Sequence, residues 1–216
     1  MREYKPTRHN LLEVREQRAF AERGHELLRR KRDALVLEFM DVLHRAEASY
    51  DDANAAFERL FPRFERLWAF EGRVALETLA WTRHAHPSVT VETKNVMGVT
   101  VPHFEALDVR VDVDKLGYGL LGTSPAIDEV VLAYEALLER IVTVAEHESA
   151  LRRLLAEIKL TMRRVNALEN VLIPDLRANE EYIERHTAER EREEIIIKKW
   201  IKDRKHGSLR EHSVTE

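Results

Sequence analysis

The sequence predicts a mainly α fold: a long antiparallel two-helix left-handed coiled coil with a small middle region containing a short helix and a β-hairpin. Three observations predict it. The 216-residue chain is 34% charged and 7% aromatic, with only 7 Gly and 6 Pro, the composition of long helices rather than of a compact mixed domain. Two segments, from about Thr7 to Glu71 and from Pro125 to about Arg204, carry apolar residues at helical spacing with few breakers. Between them, residues 72–124 hold five of the seven glycines. The expected organisation is a first long helix over 1–72, a middle region over 73–124, a second long helix over 125–205 and a flexible tail over 206–216.

In the first helix the apolar series is Leu35, Phe39, Val42, Ala46, Tyr50, Ala53, Phe57, Leu60, Phe64 and Trp68. Its spacing is near 3.67 residues per turn, so this helix should run straighter than a heptad coil. Rings accumulate toward its end at Phe57, Phe61, Phe64, Trp68 and Phe70. A two-stranded seam has no room for them, so they should pack against the middle region. There, Arg73–Trp81 reads as a short helix. Val89, Val91 and Thr93 alternate with polar residues, Val99 and Val101 follow, and Met97-Gly98 between them is turn chemistry, which predicts a hairpin. Val109, Val111 and Val113 alternate with Asp108, Arg110, Asp112 and Asp114, a candidate further strand.

The second helix begins with Ser124 as N-cap and Pro125 at the first helical position. Its main series, Val130, Leu137, Val144, Leu151, Ile158, Val165 and Leu172, is wholly aliphatic. The companion series is Ile127, Tyr134, Ile141, Glu148, Leu155, Met162 and Glu169. A sustained spacing of 3.5 imposes a left-handed supercoil, because a straight helix would drift off the stripe. Pro174 lies inside the pattern; it removes a backbone donor and should bend the helix. A middle region of this length can reverse the chain, so the two helices should pair antiparallel with their termini at one end.

Composition and motifs narrow the chemistry. A formal net charge of -4 gives no global drive toward nucleic acid or anionic lipid. The absence of cysteine excludes a disulfide framework and thiolate-ligated zinc. No signal peptide is evident and no stretch approaches the length of a membrane span, so no direct membrane insertion is expected. Gly117-Tyr-Gly-Leu-Leu-Gly122 matches a dinucleotide fingerprint in letter, but the next 80 or so residues are one helix where a second strand and an acidic residue would be required. It reads as a loop into the second helix. No phosphate-binding G-x-x-x-x-G-K motif is present. Glu22 and His25 form a lone Glu-x-x-His, short of a di-iron set, and His84 and His86 read as surface residues. Arg29–Arg32 and Arg163-Arg164 are basic, but they belong to a solvated face flanked by acids rather than to a basic zipper. No catalytic residue, cofactor, metal or nucleic acid is expected.

Five ordered stretches then resemble one family, the D subunits of archaeal and vacuolar-type rotary ATPases. They are Lys5-Pro-Thr-Arg-His-Asn-Leu-Leu12, Gly24–Leu35, Asn95-Val-Met-Gly-Val-Thr-Val-Pro102, Thr161–Pro174 with its RRVNALE and IP elements, and Arg190–Lys199. Ile195, Ile196 and Ile197 depart from the family's usual aromatics and arginine in that last stretch. The resemblance implies a non-catalytic rotor shaft on the cytoplasmic side of the cell membrane, within a complex that couples ATP synthesis to hydrogen ion or sodium transport. Its partners would be the small F subunit, the catalytic A and regulatory B subunits, and a C-type (or d-type) adaptor on the membrane ring. Arg8, Arg15, Arg163, Arg164 and Arg190 become candidate contacts, and Val96 and Met97 mark a hairpin expected to be exposed at the end opposite the termini. The competing reading is a non-rotary coiled-coil scaffold or a prefoldin-like chaperone arm.

Overall fold

A computed structural model describes residues 5–82, 88–107, 109 and 124–212. The elements in order are helix α1 (Arg8–Thr82), strands β1 (Ser88–Val96) and β2 (Val99–Leu107), helix α2 (Pro125–Ala167), a π-helical turn (Leu168–Leu172) and helix α3 (Ile173–His212). The fold is mainly α, as expected, with long helices paired antiparallel and one small hairpin. Val111, Val113, His84, His86 and the Gly117–Gly122 motif lie outside the described residues.

The helix starts follow local chemistry. Thr7 caps α1: its carbonyl accepts from the Leu11 amide at 3.0 Å and its Oγ1 from the Asn10 amide at 3.3 Å. Ser124 caps α2 as expected, its carbonyl accepting from the Ile127 amide at 2.9 Å and its Oγ from the Ala126 amide at 3.4 Å. The path of α1 breaks at Gly72, where φ is 75° and ψ is 167°, a conformation open only to glycine. The break sets the last stretch, Arg73–Thr82, apart as the expected short helix.

The chain forms two compact units: Met1–Arg30 with Thr161–Glu216, and Lys31–Leu160. In the first, Val14 and Ala21 of α1 pack with Ile173, Leu176 and Ile183 of α3. In the second there are two cores. Leu35 and Val42 pack with Ala150, Leu154 and Ile158, and the hairpin lays Val99 and Val101 on them. Separately, Leu60 and Leu67 pack with Ile127, Val130 and Leu137, and Leu76 and Leu79 of the short helix cover them.

The hairpin is in uniform register from Ser88↔Leu107 to Val96↔Val99. Its two-residue loop has φ 52° at Met97 and 81° at Gly98, the mirror-image turn that matches strand twist. Asn95 Oδ1 accepts from the Gly98 amide at 2.9 Å. The hairpin expected at the far end instead lies against α1 and α2 at Leu35–Val42 and Ala150–Ile158. Val99 and Val101 are an apolar face that needs cover, and this stretch of the helix pair supplies it. The ring-rich end differs from expectation too. Phe64 is half-buried and meets Tyr134 edge-on at 6.1 Å, but Phe57, Phe61, Trp68 and Phe70 stay exposed. The short helix covers only the Leu60–Leu67 side.

The stripe on α2 is also turned. Val130, Leu137, Ile158 and Val165 are buried as expected, as is Ile127 of the companion series, but beyond Leu137 the companions are Ala150, Leu154 and Thr161. Tyr134, Ile141, Leu155 and Met162 face outward. The hairpin covers the Ala150–Leu154 flank and so recruits it into the core. At Pro174 the break takes the form of the π-helical turn, in which the Ile173 amide reaches back five residues to the Leu168 carbonyl. The turn adds one residue to the stripe, which passes from Leu168 directly to Ile173. Leu172, expected in the seam, is exposed. A widened turn gives the proline ring the space that a regular helix denies it.

Candidate interaction surfaces

The first unit carries a ladder of charge across α1 and α3. Arg8 Nε donates to Glu191 Oε1 at 3.0 Å. Arg15 Nε donates to Glu180 Oε1 at 3.0 Å, and Arg15 also pairs with Glu184. Arg18 meets the other oxygen of Glu180 at 2.9 Å, and Arg177 donates to Glu22 at 3.0 Å. The partner numbers fall as those on α1 rise, the signature of antiparallel pairing. Glu180 is only 9% exposed and stands in the apolar stripe between Leu176 and Ile183. It was not among the residues expected from sequence; its signal is an acid one turn beyond Leu176 and three residues before Ile183. Two arginines make its burial tolerable, since a lone buried carboxylate would be strongly unfavourable.

The candidate contact residues separate into groups. Arg8 and Arg15 are held by these carboxylates, and Arg190 donates to the Pro6 carbonyl at 3.1 Å. Arg163 and Arg164 are exposed and make no ion pair among the described residues. Val96 is half-buried against the Leu35–Leu154 core, while Met97 is 56% exposed at the turn. The structure thus brings Arg8, Arg15 and Arg190 together in one unit, and Val96 and Met97 on the hairpin in the other. Glu22 and His25 do not converge on a site: Glu22 pairs with Arg177, and His25 Nε2 lies 3.5 Å from Glu169. Among the described residues no cluster of His, Asp or Glu is arranged to hold a metal ion.

Beyond Glu191, α3 continues to His212 and displays Ile195, Ile196, Ile197, Trp200 and Ile201, all exposed. Arg204 stacks over the Trp200 ring at 4.7 Å. At about 100° per residue the apolar side chains spread around more than half of the helix surface.

The hairpin is fastened to α2 by polar contacts that close one edge of β2. Arg153 donates to the Thr100 carbonyl at 3.1 Å, and the Phe104 amide donates to Glu146 Oε2 at 3.2 Å. Pro102, between them, has no amide to satisfy. His103 Nδ1 lies 2.9 Å from Glu146 Oε1. That hydrogen bond, and then the charge of Glu146, raise the His103 pKa above its ordinary value, with Glu92 and Glu105 adding to it. No helix among the described residues is long and apolar enough to cross a membrane.

Comparison with known proteins gives these surfaces a context. The family profile for the ATP synthase D subunit matches residues 10–203. The chain is similar to the A-type ATP synthase D subunit of Haloarcula marismortui, with 46% identity over 93% of this chain and 87% of that protein. It is also similar to the A-type ATP synthase D subunits of Methanococcoides burtonii (41% identity, 93% and 98% covered) and Methanosarcina acetivorans (40% identity, 93% and 96% covered). Matched over nearly its whole length, the chain belongs to the D-subunit family of A/V-type ATP synthases, and so is one component of the ATP synthase complex.

Proposed function

We propose that this chain is the central-stalk rotor component of its ATP synthase, transmitting torque between the catalytic A/B hexamer and the membrane ion-translocating ring. The F subunit and a C-type (or d-type) adaptor would be its other partners, and it would act as a non-catalytic, peripheral component on the cytoplasmic side of the membrane. The observation that carries this reading is the antiparallel helix pairing secured by both apolar cores and cross-helix ion pairs. A shaft has to resist sliding of one helix along the other. An aliphatic seam resists separation, while the Arg15–Glu180–Arg18 network favours one register, a role in which buried polar groups are well attested.

The exposed end of α3 supports the same reading. Ile195–Ile197, Trp200 and Ile201 form an apolar band around most of α3, suited to a collar that holds the rotor end. Arg8, Arg15 and Arg190 lie toward this end and are proposed as electrostatic contacts with that collar. Arg163, Arg164, Val96 and Met97 are proposed as contacts elsewhere in the assembly. Two helices cannot present the same face to every member of a pseudo-threefold hexamer. Rotation would therefore present each catalytic site in turn with a different surface.

Co-expression with the F subunit from the same source tests the reading, with a one-to-one complex by size-exclusion chromatography as the expected result. In the assembled enzyme, deleting residues 195–212 should leave a folded chain but uncouple ATP turnover from ion movement. ATP hydrolysis by the isolated chain, or failure to join either complex, would overturn the proposal.

A further inference from the structure

The hairpin has two outer edges, and α2 occupies only one of them. A two-residue loop makes Val96 and Val99 a hydrogen-bonded pair, and such pairs recur at every second residue. The outward amides and carbonyls therefore belong to Thr100, Pro102 and Phe104 on β2 and to Val89, Val91, Thr93 and Asn95 on β1. On β2 that edge is blunted. Arg153 takes the Thr100 carbonyl, Glu146 takes the Phe104 amide, and Pro102 has no amide to offer. On β1 the outward backbone groups meet no partner among the described residues.

β1 is nine residues long and in unbroken register with β2, with neither a proline nor a bulge. A long regular edge of this kind invites another strand. Every residue from Ser88 to Asn95 is exposed. Val89, Val91 and Thr93 form a β-branched row on one face, with Val89 49% and Val91 59% exposed. Glu92 and Lys94 stand on the other face. Because these two charges are of opposite sign, they select among partner strands rather than repel all of them.

We propose that β1 accepts a third strand from a neighbouring component of the ATP synthase. The occupant is an extended segment of about seven residues, matched to Val89–Asn95. Its β-branched or aromatic side chains continue the Val89–Val91–Thr93 row. It carries a lysine or arginine opposite Glu92 and an acid opposite Lys94, since opposite charges across a ladder stabilise pairing and like charges oppose it. The edge is roughly 20 Å long and one strand wide, well short of the roughly 1,000 Å² that a free-standing interface needs. It therefore suits a component already held in the same complex, where local concentration is high, rather than a second copy of this chain arriving from solution. The inference rests on the stalk reading and deepens it, because it gives the hairpin a partner within the assembled enzyme.

Hydrogen exchange, resolved by residue through fragmentation mass spectrometry, is compared between the isolated full chain and the assembled enzyme. In the isolated chain the outward amides of Val89, Val91, Thr93 and Asn95 should exchange fast, and those of Thr90, Glu92 and Lys94, which pair with β2, slowly. In the assembled enzyme the outward set should slow at least tenfold. Val91→Pro removes one outward amide and no ladder bond. It should keep the inward set protected but lose at least tenfold of the protection that assembly gives Val89 and Thr93. Zero-length carbodiimide coupling of the wild-type enzyme should join Glu92 to a lysine in an extended segment of the partner, a readout that does not depend on the proline variant folding. Unchanged exchange on assembly overturns the edge assignment and leaves the stalk reading intact. So does protection that survives Val91→Pro, or coupling of Glu92 to a helix. Slow outward exchange already present in the isolated chain also overturns it, as a second copy if it depends on concentration and as cover from the same chain if it does not. A wild-type chain that joins no complex overturns both.

Discussion

The terminal unit and the hairpin-bearing unit solve the same problem, holding two helices side by side, with different chemistry. The terminal unit has one narrow apolar stripe interrupted by Glu180, and it supplements the stripe with cross-helix ion pairs. The other unit has two apolar cores and brings in additional elements, β2 at one and the short helix at the other. Two helices alone bury a narrow stripe; each added element covers a further flank. The terminal unit is therefore limited in apolar burial and depends on register, whereas the other unit depends on packing. Between the two cores, where no third element arrives, the pair remains open.

This contrast can be broken at each end. Leu154, fully buried between α1, α2 and the hairpin, is the most sensitive packing position: Leu154→Ala should cost about 4 kcal/mol. Amide exchange should rise over β2 and the Ala150–Ile158 stretch and remain near wild type over α3. Equal loosening of α3 would show that the two units do not depend on separate chemistry.

The counterpart is Glu180. Glu180→Ala leaves Arg15 and Arg18 without their shared carboxylate and should cost roughly 3 kcal/mol by urea unfolding. Glu180→Leu restores apolar contact and should recover most of that loss, but it should permit mixed registers, detectable as several disulfide pairings from cysteines placed along α1 and α3. A Glu180→Leu protein with a single register would refute a register-setting role for the network.

Smaller effects sharpen the comparison. Gly98 has a φ of 81° with open space around it, so Gly98→Ala should cost about 1 kcal/mol through backbone strain alone. Raising salt to about 1 M should lower protection at exposed pairs such as Arg8–Glu191, which screening weakens most, and leave the Leu154 region unchanged. The smallest effect is the pH response of the hairpin. The folded pKa of His103 is raised by Glu146, so its contribution is complete below the ordinary histidine value near 6.5. It is lost as pH rises through the raised folded value. Exchange at Phe104 should increase over that interval in the wild type and show no such step in His103→Gln.

The element types, the Ser124 cap, the Met97-Gly98 turn and the aliphatic series Val130–Val165 follow from sequence. Caps, tight turns and periodicity are local, and each residue's own conformational preference declares them. Family membership was legible for a related reason: the Arg163–Pro174 block and its companions keep their order along nearly the whole chain. The interaction surfaces were less legible. Tyr50, Phe57 and Ile141 have the spacing of seam residues, and spacing fixes only which residues share a face. The tertiary structure decided which face was covered. The hairpin settled on the Ala150–Leu154 flank, the π-helical turn before Pro174 moved the stripe by one residue, and the opposite flank was left open. Burial depends on what arrives from distant parts of the chain, and periodicity within one helix carries no record of that arrival.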